Sequence, residues 1–421
     1  MFAIYNYILS LVNYVALKWK CVNWLFPFKV RRFLLAQRDI HLLSHRGLSQ
    51  DTNLRPVLWF HASSYGEYNI ARPLIEIFHK SGQWRIILSI FSPSGYDELK
   101  LRHDNIDEVL LLPLDTASNA QNFIQRMRPG KAVFIVAEFW VNYLTELKRR
   151  KIPTFLISAH ITGKEPFFKW YGAPFRQALG AFTHIFVLDE NSVKRLAQIG
   201  ITRASVASDP LFDTVLEKAA TAYHNEIIEN FVSNEPIFIA GSVHQDKDIQ
   251  LVTSLANHYP EIRFIIVPHE ISEEILFDIM RRLDGHSRLY SECSSNTDFA
   301  TTQTLIIDFM GALSYLYRYA QWAYVGGGFT PYLHNVLEAT VYGIPVAFGP
   351  CIERKPVASD LIDRHIGISV QSPRDLDRWF NSIRNNHQEA QRTKSQALEY
   401  VEQYRGGAGD VYKTILGMQS D

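Results

Sequence analysis

From residue 56 onward, short continuous apolar runs alternate with segments of helical periodicity. In the first half of the chain the apolar runs are VLWFHAS, RIILSIF, KAVFIVAEF, TFLISAH and THIFVLD. Continuous apolar runs are typical of parallel strands that are covered on both faces, so these five segments are predicted to be buried strands. The intervening segments IARPLIEIFHK, ASNAQNFIQRM, YLTELKRR and ENSVKRLAQIG predict helices. The repeated strand–helix order predicts an α/β fold with a doubly wound sheet.

A second series of the same kind follows a pause. Residues 208–235 contain no strand-like run, and then come PIFIAGSV, RFIIVPHE, TLIIDF, WAYVGGGF and PVAFGP. A chain of 421 residues exceeds the size that one core supports, so two Rossmann-like domains are predicted. The predicted organisation is an N-terminal domain over 39–207, a linker over 208–235, a C-terminal domain over 236–372, and helices over 373–421 that cross back.

Residues 1–38 have a different character. The apolar run FAIYNYILSLVNYVAL is interrupted by Asn6 and Asn13 and is shorter than the roughly 20 residues that a spanning helix needs. Aromatic and basic residues follow it, and the first acid is Asp39. This pattern predicts a segment that associates with an anionic membrane surface through a shallow anchor. A soluble helix packed on the core is the alternative.

The totals limit the possible functions. Lysine plus arginine (43) equals aspartate plus glutamate (43), which does not indicate a nucleic-acid partner. The three cysteines, Cys21, Cys293 and Cys351, are far apart and form no CxxC pair, and the chain has no HExxH motif. We therefore predict neither a disulfide framework nor a protein-bound catalytic metal.

Candidate chemistry in the C-terminal half lies after predicted strands. The glycine turn Gly326–Gly328 precedes a helix predicted to begin near His334, and such a turn can bring backbone amides and a helix N-terminus to a phosphate. Asn335 and Glu338 lie three residues apart and therefore on one face of the predicted helix. There they could bind ribose hydroxyls or base edges beside that phosphate. The alternative is that they cap the helix. Met310 and Gly311 open a second such turn, for which a simple turn is the alternative.

In the N-terminal half, the stretch WFHASSYGEYN places Glu67 just after Gly66 at a predicted helix start. An exposed carboxylate there can act as a general base, although the helix dipole is expected to lower its pKa, and a helix-capping role is the alternative. Glu138 and Asn142 are spaced to face one ligand, and His160 follows another strand.

Together these segments resemble the transferases that add 3-deoxy-D-manno-octulosonic acid (Kdo) in lipopolysaccharide synthesis. The resemblance covers nearly the whole chain and rests on WFHASSYGE, SPSGYDELK, LPLD, AEFWVN, SAHIT, AGSV, IDFMGALSYLY, VGGGF, HNVLEA and GIPVAFGP. It implies a glycosyltransferase of the GT-B type, with two Rossmann-like domains facing a cleft. The implied reaction is inverting transfer of Kdo from CMP-Kdo to a lipid A precursor at the cytoplasmic face of the inner membrane, without a further cofactor.

The resemblance also implies roles for matching residues. Glu67 would be the catalytic base, and the small residues Ser64 and Gly66 would leave room for the sugar. The implied donor ligands are Met310, Gly311, Gly327, Gly328, Asn335 and Glu338. The implied acceptor or sugar ligands are Ser64, Gly66, Glu138, Asn142 and His160.

Several departures from the family pattern remove cations or acids. His269 stands where many relatives have an arginine, as in PRH, and His160 stands at the arginine of NARLS. Leu211 replaces a basic residue, and Val136 replaces the first of two acids. These losses indicate a divergent branch. They leave open a GT-B transferase that uses another nucleotide sugar, or a non-catalytic lipid-binding relative.

Overall fold

The computed structural model describes residues 2–18, 28–43, 55–100, 105–233, 235–353 and 355–418. The chain divides into two compact units. Unit 1 comprises Met1–Thr214 and Gly406–Asp421, and unit 2 comprises Val215–Arg405. The division therefore falls inside the predicted linker, at residue 214, and the returning segment begins at residue 406.

Unit 1 contains a seven-stranded parallel sheet. Its strands are β1 (Val57–Ala62), β2 (Arg85–Ile90), β3 (Glu108–Leu111), β4 (Pro129–Ile135), β5 (Thr154–Ala159), β6 (His184–Val187) and β7 (Ala204–Val206). Its helices are α1 (Phe2–Lys18), α2 (Phe28–Leu43), α3 (Tyr65–Lys80), α4 (Pro93–Leu99), α5 (Ala117–Met127), α6 (Val141–Arg149), α7 (Ala173–Leu179) and α8 (Glu190–Gln198). The strand order is β3-β2-β1-β4-β5-β6-β7, so the winding direction reverses between β1 and β4.

After α9 (Leu211–Ala220) and α10 (Glu226–Val232), unit 2 repeats this architecture. Its strands are β8 (Ile237–Val243), β9 (Arg263–Pro268), β10 (Ser287–Leu289), β11 (Thr304–Ile306), β12 (Trp322–Val325), β13 (Val346–Phe348) and β14 (Gly367–Ser369). Its helices are α11 (Asp246–His258), α12 (Glu273–Arg281), α13 (Leu313–Leu316), α14 (Leu337–Thr340), α15 (Pro356–Asp363), α16 (Pro373–Arg384) and α17 (His387–Gln403). The order β10-β11-β9-β8-β12-β13-β14 reverses between β8 and β12.

All ten predicted strands are present, and four further strands lie at the edges of the two sheets. Two helices are shorter than predicted. The helix expected near His334 begins at Leu337, and the one expected over GALSYLYRYA is α13 followed by a 3₁₀ turn over Tyr317–Tyr319.

The last helix, α18 (Gly407–Gly417), belongs to unit 1. Its residues Val411 and Ile415 lie in the core layer that also contains Phe78 of α3. The ammonium group of Lys131 donates to the carbonyls of Ile415 and Met418, each at 2.6 Å. Helix α18 is therefore part of the N-terminal domain's core.

Helix α1 packs on unit 1 through one side. The Tyr5 hydroxyl donates to Asp115 at 2.7 Å, and the side chain of Asn142 donates to Asn6 at 2.8 Å. The opposite side carries exposed apolar residues: Ile4, Tyr7, Ile8, Leu11, Val12 and Tyr14. Among the described residues, no helix is long and apolar enough to cross a membrane.

Candidate active site

The carboxyl ends of β1 and β4 lie side by side where the winding of the first sheet reverses. In open α/β sheets such a switch point is where ligands bind. Glu67 lies in the first turn of the helix that follows β1, and Glu138 lies in the loop that follows β4. The topology thus brings together two acids that are 71 positions apart in the sequence.

Glu67 caps its own helix. Ser64 is the N-cap and accepts a hydrogen bond from the Glu67 amide, while the Glu67 carboxylate accepts one from the Ser63 amide at 2.5 Å. This reciprocal arrangement resembles a capping box, for which Ser-x-x-Glu is the signature. The capping role and a catalytic role are therefore compatible in one residue, because capping fixes the orientation of the carboxylate.

Glu138 is buried and accepts hydrogen bonds from three side chains. Its donors are the Ser63 hydroxyl, the Trp140 indole and His61 Nε2, the last at 3.2 Å. Ser63 therefore connects the two acids, since its amide binds Glu67 and its hydroxyl binds Glu138.

The partners of His61 place a proton on its Nε2. The Glu138 carboxyl has a lowered pKa, and an ionised carboxylate can only accept, so Nε2 at 3.2 Å donates to it. On the other side of the ring, Nδ1 lies 2.8 Å from the Ser89 hydroxyl and 3.2 Å from the Ser89 carbonyl. The Ser89 hydroxyl in turn accepts from the Trp59 indole at 2.8 Å. These contacts hold the imidazole of His61 against Glu138.

The two carboxyl groups have opposite pKa shifts. Burial, and then the negative charge of Glu138, raise the pKa of Glu67 to about 8. Burial also disfavours charge on Glu138, but the hydrogen bonds from His61, Ser63 and Trp140 outweigh it and lower the pKa of that carboxyl. The expectation that the helix dipole lowers the Glu67 pKa is wrong, because desolvation and the neighbouring acid dominate. Two neighbouring carboxyl groups whose pKa values are shifted in opposite directions are suited to acid–base chemistry.

Asn142 has a structural position rather than the predicted ligand-facing one. Glu138 precedes α6, so the two residues do not share a helix face. The Asn142 amide group donates to the Asp115 carbonyl at 2.5 Å and to Asn6, and its backbone N–H donates to the Asp115 carboxylate. The backbone N–H and the side-chain NH2 of Asn142 are therefore committed inside the protein, which argues against the predicted sugar-binding role.

The other predicted residues of unit 1 have defined surroundings. Gly66 is exposed, and a Cβ added there would meet only the Ser64 hydroxyl, at 3.7 Å. Packing within the chain thus does not require glycine at this position. His160 Nδ1 contacts the Asp189 carboxylate at 2.8 Å, and Asp189 caps α8. Val136, at the position of the missing acid, has a φ of 69°, which is a strained conformation for a β-branched residue.

In unit 2, neighbouring backbone segments occupy the space around the glycine turn after β12. A Cβ on Gly326 would lie 2.3 Å from the Ser242 carbonyl, and one on Gly328 would lie 2.6 Å from the Gly349 amide. The Gly326 and Gly327 amides donate to Gly241 and to Asp248. These two amides are therefore not available to a phosphate, and this corrects the idea that the turn presents bare N–H groups.

Of the remaining predicted donor residues, Met310 and Gly311 are exposed. Gly311 has a φ of 95°, and a Cβ there would meet nothing within 4 Å, while Met310 is 68% exposed. Asn335 accepts from the Leu337 amide at 3.1 Å and also bonds the Glu338 carboxyl. Burial raises the pKa of Glu338, opposed by Lys218 and by the Asn335 hydrogen bond.

Some residues at these strand ends were not predicted as ligands. His61 and Ser63 lie within the quoted stretch HASSYG, but a histidine and a serine at a strand end have no distinctive spacing. His244 and His334 lie after β8 and after the glycine turn, next to the already noted His269. Only the sheet order brings these three histidines together.

The fold defines the class of the protein as GT-B. Similar solved structures include the UDP-GlcNAc 2-epimerase from Neisseria meningitidis bound to UDP-GlcNAc, with a TM-score of 0.63 and 15% identity over 87% of this chain and 100% of that chain. Acinetobacter baumannii MurG has a TM-score of 0.56 and 11% identity over 86% of this chain and 100% of that chain. At these identities the likeness concerns the fold alone.

The sequence comparisons give the family. The family model described as 3-deoxy-D-manno-octulosonic-acid transferase (kdotransferase) matches residues 39–214. The enzyme of that name from Chlamydia trachomatis serovar A is 27% identical over 344 residues, which are 78% of each chain. The one from Aquifex aeolicus is 24% identical over 331 residues, covering 77% of this chain and 85% of that one. A divergent member of the Kdo transferase family fits these matches, and the chain is a glycosyltransferase.

Proposed function

We propose that this protein transfers Kdo from CMP-Kdo to a lipid A precursor, with inversion at the anomeric carbon and with Glu67 as the general base. The observation that carries the proposal is the pair formed by Glu67 and Glu138 at the switch point of the first sheet. The similarity to Kdo transferases supports this choice of donor and acceptor, and the pair of acids suits the acid–base chemistry.

The proposed reaction needs one proton acceptor. The ionised Glu67 carboxylate takes the proton of an acceptor hydroxyl, and that oxygen forms a bond to the anomeric carbon of Kdo. The bond from this carbon to the phosphate oxygen breaks, and CMP leaves with the electron pair. Glu138 remains ionised because of its three hydrogen-bond donors, and its charge keeps the Glu67 pKa close to the working pH.

The donor is proposed to bind unit 2. Asn335 and Glu338 form a hydrogen-bonded amide–carboxyl pair that can bind ribose hydroxyls or the cytosine edge. Gly311 offers an unobstructed backbone turn close in the chain to Met310. The glycines Gly327 and Gly328 allow the close packing of this turn and support the donor site indirectly.

Transfer by purified protein tests the proposal. With CMP-Kdo and a lipid A precursor we expect turnover by the wild type, and a decrease of about 10²–10⁴-fold in kcat for Glu67→Gln, because general-base catalysis contributes about that much. The matched control is Glu190→Gln, since Glu190 is an exposed acid in the first turn of α8. Absence of transfer by the wild type overturns the proposed function, and full activity of Glu67→Gln overturns the assignment of the base.

We also propose that the protein works at the cytoplasmic face of the inner membrane. The support is the exposed apolar side of α1, whose residues Ile4, Tyr7, Ile8 and Leu11 follow the i, i+3, i+4, i+7 spacing of one helix face. The basic residues expected to face anionic lipid include Lys18 and Lys20, whose side chains lie outside the described residues. Such a face fits a helix lying in the membrane plane.

A further inference from the structure

Three histidines and a lysine lie together at the carboxyl edge of the second sheet. His244 follows β8, His269 follows β9, and His334 follows the glycine turn after β12. The rings of His269 and His334 are 4.2 Å apart between centroids, and those of His244 and His269 are 5.2 Å apart. Lys355 acts electrostatically on His334. The cluster lies where the winding of this sheet reverses, the position that binds ligands in open α/β folds.

The backbone holds the histidines in place. The His269 amide donates to the Val243 carbonyl at 2.9 Å, and the His334 amide donates to the Gly326 carbonyl at 3.2 Å. A Cβ on Gly327 would lie 2.9 Å from the His334 ring, so the glycine turn brings the chain against this imidazole. The absence of a side chain at Gly327 therefore leaves room for the His334 ring.

Burial and the repulsion between neighbouring cationic groups disfavour protonation of the cluster. Burial, followed by His269, Lys355 and His244, lowers the pKa of His334 to about 3, and burial lowers the pKa of Lys355. Groups with such shifts become protonated more readily when an anion arrives, because it compensates their charge. A second observation also points to a ligand: His244 Nδ1 is buried and has no hydrogen-bond partner in the described part of the chain.

Two acids lie close to the cluster. Asp248, on α11, accepts hydrogen bonds from the amides of His244, Gln245 and Gly327 and from the Tyr324 hydroxyl. Glu270 follows His269 in the chain. Besides burial, the groups that lower the pKa of His334 are His269, Lys355 and His244.

We propose that His269, His334 and Lys355, backed by His244, form an anion site for the phosphodiester of the nucleotide-sugar donor, and that donor binding is coupled to proton uptake by this site. The proposal rests on the proposed function and specifies how this chain holds its donor. It also accounts for His269 at the position where relatives have an arginine: a titratable group replaces a permanent cation.

The sign of the coupling follows from linkage. If the protonated site binds the anion more tightly, the dissociation constant falls as the pH falls. One additional proton held in the complex corresponds to about a tenfold change in affinity per pH unit at most. An arginine at position 269 would supply its charge at every pH and weaken the dependence.

The test uses cytidine 5′-methyl phosphate, which keeps one negative charge between about pH 6 and about pH 8. Titration calorimetry of the wild type should show about tenfold tighter binding at the lower pH. His269→Gln should reduce this ratio to about threefold or less, and His269→Arg should bind at about pH 8 as tightly as the wild type does at about pH 6. Cytidine, which lacks the phosphate, should show no pH dependence with any variant.

His387→Gln is the matched control, because His387 is exposed at the start of α17, and it should behave as the wild type does. Equal affinity of the wild type at both pH values overturns the anion site, as does full pH dependence in His269→Gln. Measured Kdo transfer together with pH-independent binding would reject the site and leave the proposed reaction intact. Pronounced pH-dependent diester binding without transfer would reject the reaction and leave the site intact.

Discussion

Glu67 and Glu138 show how identical functional groups acquire different roles from their surroundings. Both are largely removed from water, but Glu138 accepts from His61, Ser63 and Trp140, whereas Glu67 accepts from the Ser63 amide and has a negative neighbour. Glu67 has fewer hydrogen-bond donors to offset its burial, so its pKa is raised to about 8. The hydrogen-bond donors, and not the distance to solvent alone, decide which acid ionises first.

A pH profile tests this division of roles. A base must be deprotonated to act, so kcat of the wild type at saturating donor should rise with pH up to a limb near pH 8, the pKa of Glu67. Glu138→Gln removes the negative neighbour, which should move that limb to lower pH by about one unit. Glu190→Gln should leave the limb unchanged. A limb that does not move in Glu138→Gln would contradict the charge coupling between the two acids.

At the scale of elements, hydrophobic pattern predicted the centre of each sheet better than its edges. Strands such as β2 and β5 are fully buried and appear in the sequence as continuous apolar runs. The edge strands β3, β7, β10 and β14 have partly exposed positions, and none was predicted. An edge strand has a neighbour on one side only, so fewer of its residues need to be apolar, and its signal is weak.

The docking of α1 is a second property of an element that the pattern did not predict. Tyr5 donates to Asp115, a buried carboxyl whose pKa burial raises to about 6, and the same carboxylate accepts from the first amides of α6. The predicted membrane segment is thus attached to unit 1 through the buried carboxyl of Asp115. The packing that was the alternative for this segment is therefore present on one side of α1, and the membrane anchor stays a prediction that concerns the exposed apolar side.

Tyr5→Phe tests the attachment. It removes a hydrogen bond to a charged group and should lower the free energy of unfolding of unit 1 by about 1.5–3 kcal/mol. A lower midpoint temperature of the first thermal transition, measured at neutral pH, should reveal this loss. Tyr7→Phe is the matched control on the same helix, because Tyr7 is 71% exposed, and its transition should stay at the wild-type value. Equal transitions for the two variants would show that the Tyr5–Asp115 bond does not stabilise the fold.

At the scale of the whole molecule, two units of the same architecture carry different chemistry at equivalent positions. The switch point of the first sheet carries a pair of acids, and that of the second carries histidines and a lysine. The acidic site suits proton abstraction and the basic site suits a phosphodiester. The balanced total charge of the chain conceals this local separation.

Membrane association also belongs to this scale. We expect wild-type protein to sediment with vesicles that contain anionic lipid, and the double variant Ile8→Glu/Leu11→Glu to bind at least about tenfold more weakly, because each apolar side chain contributes about 1.5–3 kcal/mol when buried. Leu398→Glu is the control, since Leu398 is an exposed leucine of unit 2. Equal sedimentation of the double variant and the control would contradict membrane binding through α1.

The sequence by itself determined the α/β class, the ten inner strands, the two-unit organisation and the resemblance to a family, because buried strands and ordered motifs leave local patterns. It also identified Glu67 and Glu138 as separate candidates. Only the tertiary structure decided that Ser63 connects them, that Asn142 is committed to Asp115, and that three histidines meet beside the glycine turn. Pairings of this kind depend on the order of strands in a parallel sheet. That order is set by long-range packing and leaves no trace in the spacing of residues along the chain.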